Sequence, residues 1–343
     1  IPGNIFLDTI SQNIYSVFGV TASSFLIYLI CTIFVIYPNK KISYISIGLL
    51  IISILPFESK EEINNGIKVS IIQPASDPFL KYEDNYYLKI EDNLRRLIDK
   101  VSKDTQLVVL PEAELPYPQK SIRFKEFLKN TDISEKIILG AWKYDNAKLF
   151  NSIYSTKYDE SYEKIHLVPF GEYIPFIKGL RGIIGFFDLP MSNVSNGSIF
   201  QENIKILNNI PVASPICFDI AFPNTVRKMN KSSFLMINVS NDTWFGNSIG
   251  PHHHLSIARI RSIENNRYTI RSTNDGISAI ITNKGTIVSL LEKGRSGILE
   301  DNVKLININT FYSQIGYLLF IILSFIIVLI PFLKIIWKKT LRS

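Results

Sequence analysis

Cysteine is scarce: the 343 residues include two, Cys31 and Cys217. That excludes a disulfide framework and a cysteine-based zinc site. Charge is sparse as well, at 20% of residues, and the mean hydropathy is +0.16. Neither a disordered chain nor an ordinary soluble enzyme has that balance. No internal repeat or low-complexity linker interrupts the chain. The formal charge is +7, yet with 46% hydrophobic residues anionic lipid head groups are the expected partner and nucleic acid is not. The length suits two or three domains, or one large domain with attachments.

Three long runs carry no charge: Thr9 to Asn39, with its most apolar part Ser16 to Tyr37; Ile42 to Phe57; and Leu305 to Leu333, with the core Ile315 to Leu333. About 20 apolar residues cross a bilayer. The first and third runs are long enough; the second, at 16 residues, reads as a tilted span or a buried or re-entrant helix. Lys40 and Lys41 lie between the first two, and Lys334, Lys338, Lys339 and Arg342 follow the third. The positive-inside tendency places these ends in the cytoplasm and the segment from about Gly66 to Asp301 outside, in the periplasm of a bacterium with two membranes. The chain opens on Ile1 with no signal-peptide pattern, so it reads as a fragment or a processed product. The expected division is 1–65 for two spans, 66–303 for a globular domain, and 304–343 for a last span and basic tail.

Residues 66–303 alternate strand and helix signals, which implies an α/β class. Strands are expected at Lys68–Gln73, Gln106–Leu110, Lys136–Trp142, Asn151–Thr156, Pro211–Ile216, Phe234–Asn238, Tyr268–Ser272 and Ile277–Thr282, and a turn at Asn283–Gly285. Tyr86, Ile90, Leu94, Leu97 and Val101 share one face of a helix over Tyr82–Val101, and Pro251–Glu264 is helical with proline in its first turn.

Cys217 follows an apolar strand and precedes a turn, where a side chain stands exposed above a sheet. It is either a buried structural thiol or a nucleophile. An unpaired thiol in an oxidising compartment wants a reason, and a thiol needs a base or cation beside it to react. Glu112, at the end of a strand in Leu110–Pro111–Glu112, is a solvated loop acid or a general base. Lys164, before the apolar stretch Ile165–Val168, is a surface lysine or an oxyanion-stabilising cation.

Taken together, Glu112, Lys164 and Cys217 follow one another at intervals of 52 and 53 residues. With Lys164 to Pro175 (KIHLVPFGEYIP), Pro215 to Pro223 (PICFDIAFP), Asn238 to Gly246 (NVSNDTWFG), Gly250 to Arg261 (GPHHHLSIARIR) and Arg271 to Ile277 (RSTNDGI), this resembles the apolipoprotein N-acyltransferase family of the carbon–nitrogen hydrolase (nitrilase) superfamily. The resemblance implies a four-layer α-β-β-α sandwich attached to transmembrane helices. It implies transfer of a fatty acyl group from a membrane phospholipid, through a Cys217 thioester, to the amine of a diacylated apolipoprotein, with Glu112 as general base, Lys164 at the oxyanion and no metal or organic cofactor. Glu172 is marked as a site residue beside the triad, and His254 as a residue packing or hydrogen-bonding nearby. Within the enzymes, the alternative is a membrane-tethered amidase of the same superfamily; outside them, an inactive truncated remnant.

Two departures stand out. Phe218–Asp219 replaces the Tyr-Glu usual after the nucleophile, which bears on a substrate-loop contact. The family also has more spans than the three read here, so part of an N-terminal bundle is expected to be missing. Consecutive helix residues project about 100° apart, so His252, His253 and His254 do not share one metal ion. Arg259, Arg261, Arg267 and Arg271 read as internal salt-bridge partners or head-group contacts, and Trp142 and Trp244 as core or pocket-wall residues.

Overall fold

The computed structural model describes residues 2–36, 66–77, 85–131, 133–173 and 194–318, with isolated positions elsewhere. It divides into two units, Ile1–Ser59 with Asn309–Ser343, and Lys60–Ile308.

In the first unit, helix α1 (Ile14–Ile36) covers most of the first apolar run and is the one described helix long and apolar enough to cross a membrane. Gly19 inside it has φ 68°, and a Cβ there would lie 2.5 Å from the Tyr312 ring. Tyr15 Oη donates to the Gly3 carbonyl at 2.7 Å, fixing the N-terminal turn. The run Ile42–Phe57 and residues 319–333 of the third run lie outside the described residues, apart from isolated helical positions. A short helix, α6 (Phe311–Ile315), is capped by Thr310 and ends at Gly316, φ 65°.

The second unit holds, in chain order, β1 (Ile67–Gln73), α2 (Tyr86–Ile98), β2 (Leu107–Leu110), α3 (Ile122–Lys129), β3 (Ile137–Asp145), β4 (Lys148–Ser155), β5 (Glu160–Glu163), β6 (Lys205–Ile206), β7 (Ile210–Ala213), α4 (Pro223–Asn230), β8 (Leu235–Ser240), α5 (Gly250–Asn265), β9 (Thr269–Thr273), β10 (Ser278–Ile281), β11 (Ile287–Leu291) and β12 (Gly297–Val303). They form two six-stranded sheets, ordered β12-β1-β2-β3-β4-β5 and β11-β10-β9-β8-β7-β6. The centre of each sheet is parallel, β1-β2-β3 in one and β7-β8-β9 in the other. These central strands are apolar on both faces, as in Leu107–Leu110, because both faces are covered.

Alternation then assigns the layers. Val69, Ile71, Leu107, Val109, Ile138 and Ile153 of the first sheet pack with Val212, Ile237, Val239, Ile270 and Ile281 of the second. The opposite face of the first sheet, Val108, Leu110, Ile137 and Leu139, buries Ile90, Leu94 and Leu97 of α2 and Phe124 and Phe127 of α3. Each such aliphatic burial contributes about 1.5–3 kcal/mol. On the outer face of the second sheet, Ser262 of α5 hydrogen-bonds Thr269 of β9 at 2.6 Å. The order is therefore helix, sheet, sheet, helix. This unit runs a few residues past β12, because Leu305 and Ile306 belong to its core and the Ile306 N–H donates to the Phe234 carbonyl at 2.9 Å.

Candidate active site

The parallel strands β2, β7 and β8 release their chains at the same end, the usual place for a site in such sheets. Pro111 stops the β2 ladder, and Ala113 turns the chain at φ 43°. Between them Glu112 is buried, 6% exposed. The neighbouring strand passes so close that a Cβ on Gly140 would sit 2.4 Å from the Glu112 Cα. Glycine there is what lets this turn lie on β3.

Glu112 Oε1 accepts from Lys164 Nζ at 3.1 Å and from Asn151 Nδ2 at 2.7 Å, while Oε2 accepts from the Asn241 backbone N–H at 2.8 Å. Lys164 follows β5 and is 2% exposed. Its Nζ also donates to Glu172 Oε1 at 2.9 Å, and Glu172 Oε2 accepts from the Val168 N–H at 2.8 Å. Burial alone would push the ammonium down, but Glu112 and Glu172 outweigh it and hold Lys164 well above its ordinary value. Two carboxylates and one ammonium leave this cluster with a formal charge of −1.

Cys217 opens a 3-10 turn, Cys217–Ala221, with φ 45°, a left-handed conformation that costs a non-glycine residue energy. Burial pushes its thiol up to about 12, Glu112 adds to the shift and Lys164 opposes it. At rest the site therefore holds a neutral thiol within the fields of an ionised base and a cation. That arrangement can pass a proton from sulfur to carboxylate and stabilise an oxyanion.

The structure thus brings Glu112, Lys164, Glu172 and Cys217 together. Asp219 is fully buried: its Oδ1 accepts from the His166 N–H at 2.8 Å and its Oδ2 from the Ile216 N–H at 3.2 Å. Burial raises this carboxyl to about 7. It ties the nucleophile turn to the segment after Lys164. The Phe218 ring is half-buried and meets Phe222 edge-on, at 5.1 Å between centroids. The expectation for the tryptophans divides: Trp142 is buried, whereas Trp244 is 57% exposed and is no core residue. Phe170, Tyr173, Phe245 and Ile249 are exposed with it, so bulky apolar groups stand in solvent within a few residues of Glu172 and of Asn241.

His252 and His253 are exposed, while His254 turns inward onto Asp242 at 2.8 Å, so the three diverge. Of the four arginines, Arg261, Arg267 and Arg271 are buried and paired internally, Arg261 with Glu264, Arg267 with the Ser233 carbonyl at 2.7 Å and Arg271 with Asp242 at 2.6 Å. Arg259 Nε donates to the Gly285 carbonyl at 2.7 Å. The sequence reading missed Asn151, whose amide also donates to Glu172 Oε1 at 2.9 Å and so bridges the two carboxylates. A lone asparagine in a strand carries no local signal; its role follows from pairing opposite Trp142 and beside Lys164.

Residues 68–310 match the carbon-nitrogen hydrolase family. The chain is 29% identical to the apolipoprotein N-acyltransferase of Shewanella oneidensis over 347 residues, covering 93% of this chain and 66% of that one. It is 33% identical to the apolipoprotein N-acyltransferase of Vibrio vulnificus over 270 residues, 73% of this chain and 52% of that one. It therefore spans roughly half to two thirds of the length of these curated relatives. Among solved structures, Saccharomyces cerevisiae Nit3, of the nitrilase superfamily, matches with a TM-score of 0.53 at 21% identity, over 72% of this chain and 93% of that one. A Nesterenkonia amidase matches with a TM-score of 0.51 at 14% identity, over 75% of this chain and 96% of that one. At those identities the likeness is one of fold, and it accords with the two-sheet architecture above. The family match spans most of the chain and includes Glu112, Lys164 and Cys217: the chain belongs to the carbon-nitrogen hydrolase family.

Proposed function

We propose that this chain carries the catalytic domain of a membrane-bound apolipoprotein N-acyltransferase. The observation that carries the reading is the convergence of buried Glu112 and Lys164 with half-buried Cys217, from strand ends far apart in sequence. The names of the relatives and the exposed apolar groups near the site support a lipid acyl donor. Glu112 takes the thiol proton as the sulfur attacks the sn-1 ester carbon of a phospholipid. Lys164 and backbone N–H groups near Cys217 stabilise the tetrahedral oxyanion. Collapse breaks the ester C–O bond, Glu112 returns its proton to the departing alkoxide, and lysophospholipid leaves a Cys217 thioester. The α-amine of a diacylglyceryl-cysteine then attacks the thioester carbon. Its proton passes by way of Glu112 to the departing sulfur, and an amide results. Thioester exchange for an amide is downhill, so the chain's own side chains suffice.

In this reading the enzyme sits in the bacterial inner membrane as a multi-pass protein, with its catalytic domain on the periplasmic side. The lysine asymmetry around the apolar runs supports that orientation. A reporter active only in the periplasm should be silent when fused after Ser343; activity there would reverse the topology.

The chemistry is tested by intact-mass analysis of the purified chain supplied with phospholipid. An acyl adduct is expected, released by neutral hydroxylamine and mapped to Cys217. Cys217→Ala should lack it, and Cys31→Ala should keep it. An adduct that survives Cys217→Ala would overturn the mechanism. No adduct on the wild type would favour an inactive remnant, and release of free fatty acid without transfer to an amine would favour an amidase.

A further inference from the structure

A half-open cleft that the proposed chemistry does not use lies where both sheets end, lined from the edge strands β5 and β6, the segment before β6 and helix α4. Its volume is about 540 Å³, within the range of small-molecule sites. One wall, residues 196–201, is pinned to the end of β5. The Gly197 N–H donates to the Lys164 carbonyl at 2.8 Å, and Asn196 Nδ2 to the Ile165 carbonyl at 2.7 Å. The Gln201 amide takes the place of a neighbouring strand: it donates to the Glu163 carbonyl and accepts from the Glu163 N–H, both at 2.7 Å. A Cβ on Gly197 would sit 2.5 Å from the Glu163 carbonyl oxygen, so glycine permits this approach. The pinned wall leaves Ile199 and Phe200 exposed at the rim, Phe200 to 87%. Half-buried Ile165 and buried Met229 continue the apolar surface inward.

Most polar groups around the cleft are engaged within the fold. Thr225 Oγ1 lies 2.7 Å from His166 Nε2, and Asn203 Nδ2 donates to the Met229 carbonyl at 2.7 Å. Lys205 pairs with Glu160 at 2.9 Å and has Glu202 as a second acidic neighbour. Two groups are left over. Tyr162 is 1% exposed, and its Oη has no hydrogen-bond partner among the described residues. Burial, with the Asp219 carboxylate nearby, pushes this phenol up, so it keeps its proton at neutral pH. The Gln201 amide beside it offers an N–H and not an acceptor. A buried O–H without an acceptor is costly, and a ligand oxygen would relieve it. Lys228, the other, is exposed and has no ion-pair partner among the described residues. Helix α4 and the residue after it add Arg227 and Lys231 and carry no acid.

A ligand that completes the cleft has an oxygen acceptor for the Tyr162 O–H, an aliphatic body for Ile165, Met229, Ile199 and Phe200, and a negative charge for Lys228. We propose that the cleft binds a single-chain anionic lipid, a lysophospholipid or a long-chain fatty acid, with an acyl oxygen accepting from Tyr162 Oη and the chain lying against the apolar rim. The lining carries this assignment, and no step of the proposed acyl transfer passes through the cleft.

The test uses the full chain in nanodiscs of zwitterionic phosphatidylcholine, labelled by lysophosphatidylglycerol with a photoreactive diazirine in its chain. Peptide mapping should place the cross-link within residues 199–203 or 228–232. Unlabelled lysophosphatidylglycerol or oleate should displace the probe, and the better competitor identifies the source, a phospholipid or a free fatty acid. Lysophosphatidylcholine, with the same chain and no net charge, should compete at least about tenfold more weakly, and Lys228→Gln should abolish that difference. Tyr162→Phe should weaken labelling about three- to tenfold. It should nevertheless unfold at a denaturant midpoint no lower than wild type, because the hydroxyl it deletes has no partner in the fold. Phe200→Ala alters an exposed side chain, so it tests the rim with the fold intact, and it should weaken labelling as well. Labelling absent from both segments, equal competition by lysophosphatidylcholine, or labelling indifferent to Tyr162→Phe and Phe200→Ala would overturn the proposal. So would a lower midpoint for Tyr162→Phe without added lipid, since the hydroxyl would then belong to the fold. Cys217→Ala should label like wild type, so loss of the Cys217 adduct and loss of this site are scored apart.

Discussion

Lys164→Met is expected to lose acylation of Cys217 almost completely and to destabilise the second unit. The ammonium is 2% exposed and touches two carboxylates, at 3.1 Å and 2.9 Å. Removing one member of a buried ionic group leaves uncompensated charge and costs about 3–5 kcal/mol. Here Glu112 and Glu172 would face each other across the Asn151 amide, and like charges in one pocket favour uptake of a proton. Glu112 would then be partly occupied as a base. The oxyanion would also lose its cation, which alone costs about 10²–10³ in rate. Single-turnover acylation followed by intact mass measures the rate, and a denaturant midpoint measures the stability. Adding Glu172→Gln to Lys164→Met should restore much of the stability by removing one carboxylate, with acylation still lost. If the double variant regained acylation, Lys164 would be only a counter-ion for the carboxylates.

That outcome also bears on what the sequence can and cannot express. Glu112, Lys164 and Cys217 each stayed ambiguous when read singly; the resemblance carried by the motifs around them is what grouped them, and the Lys164–Glu112 ion pair is the geometry that accords with that grouping. Strands such as Ile67–Gln73 and Leu107–Leu110 were legible within a residue or so because central parallel strands are continuously apolar. The helices α3 and α4, eight residues each, were too short to show a period. β12 was missed for a different reason: its partner β1 lies some 230 residues away, and its residues are mostly half-buried, as the strand sits at a sheet edge. Asn151 was invisible because its role exists only in register. Trp244 was open between core and pocket wall, and only the 3-10 turn after β8, which leaves it exposed, removes the core alternative. Asp242 and Arg271 lay within recognisable motifs, but nothing in linear order pairs a turn aspartate with an arginine 29 residues later.

Glu112→Gln should produce two opposite changes at Cys217. Burial, Glu112 and Asp242 together push the thiol up to about 12, against the pull of Lys164. A thiol so placed is ionised to only ~10⁻⁵ at neutral pH, so attack depends on a base that removes the proton as the carbon–sulfur bond forms. Glutamine keeps the shape and removes the negative charge. A nearby negative charge raises an acid's pKa, so its removal lets the thiol ionise at lower pH. Thiolate absorbance, or the pH dependence of iodoacetamide alkylation, should therefore shift downward. Acylation by phospholipid should nevertheless fall about 10²–10⁴-fold at neutral pH, because the general base is gone. Below the new thiol pKa the remaining rate should climb about tenfold per pH unit as the thiolate fraction grows, whereas the wild type, with its internal proton acceptor, should depend on pH more weakly in that range. The amide must also place an NH₂ where Glu112 accepted from Lys164 and Asn151 or from the Asn241 N–H, so some loss of stability accompanies the change. Stability loss alone leaves the thiol titration in place. Easier ionisation together with slower acylation is the signature of a lost base. A thiol titration that does not move, or neutral-pH acylation close to wild type, would take the proton away from Glu112 and leave it a structural partner of Lys164.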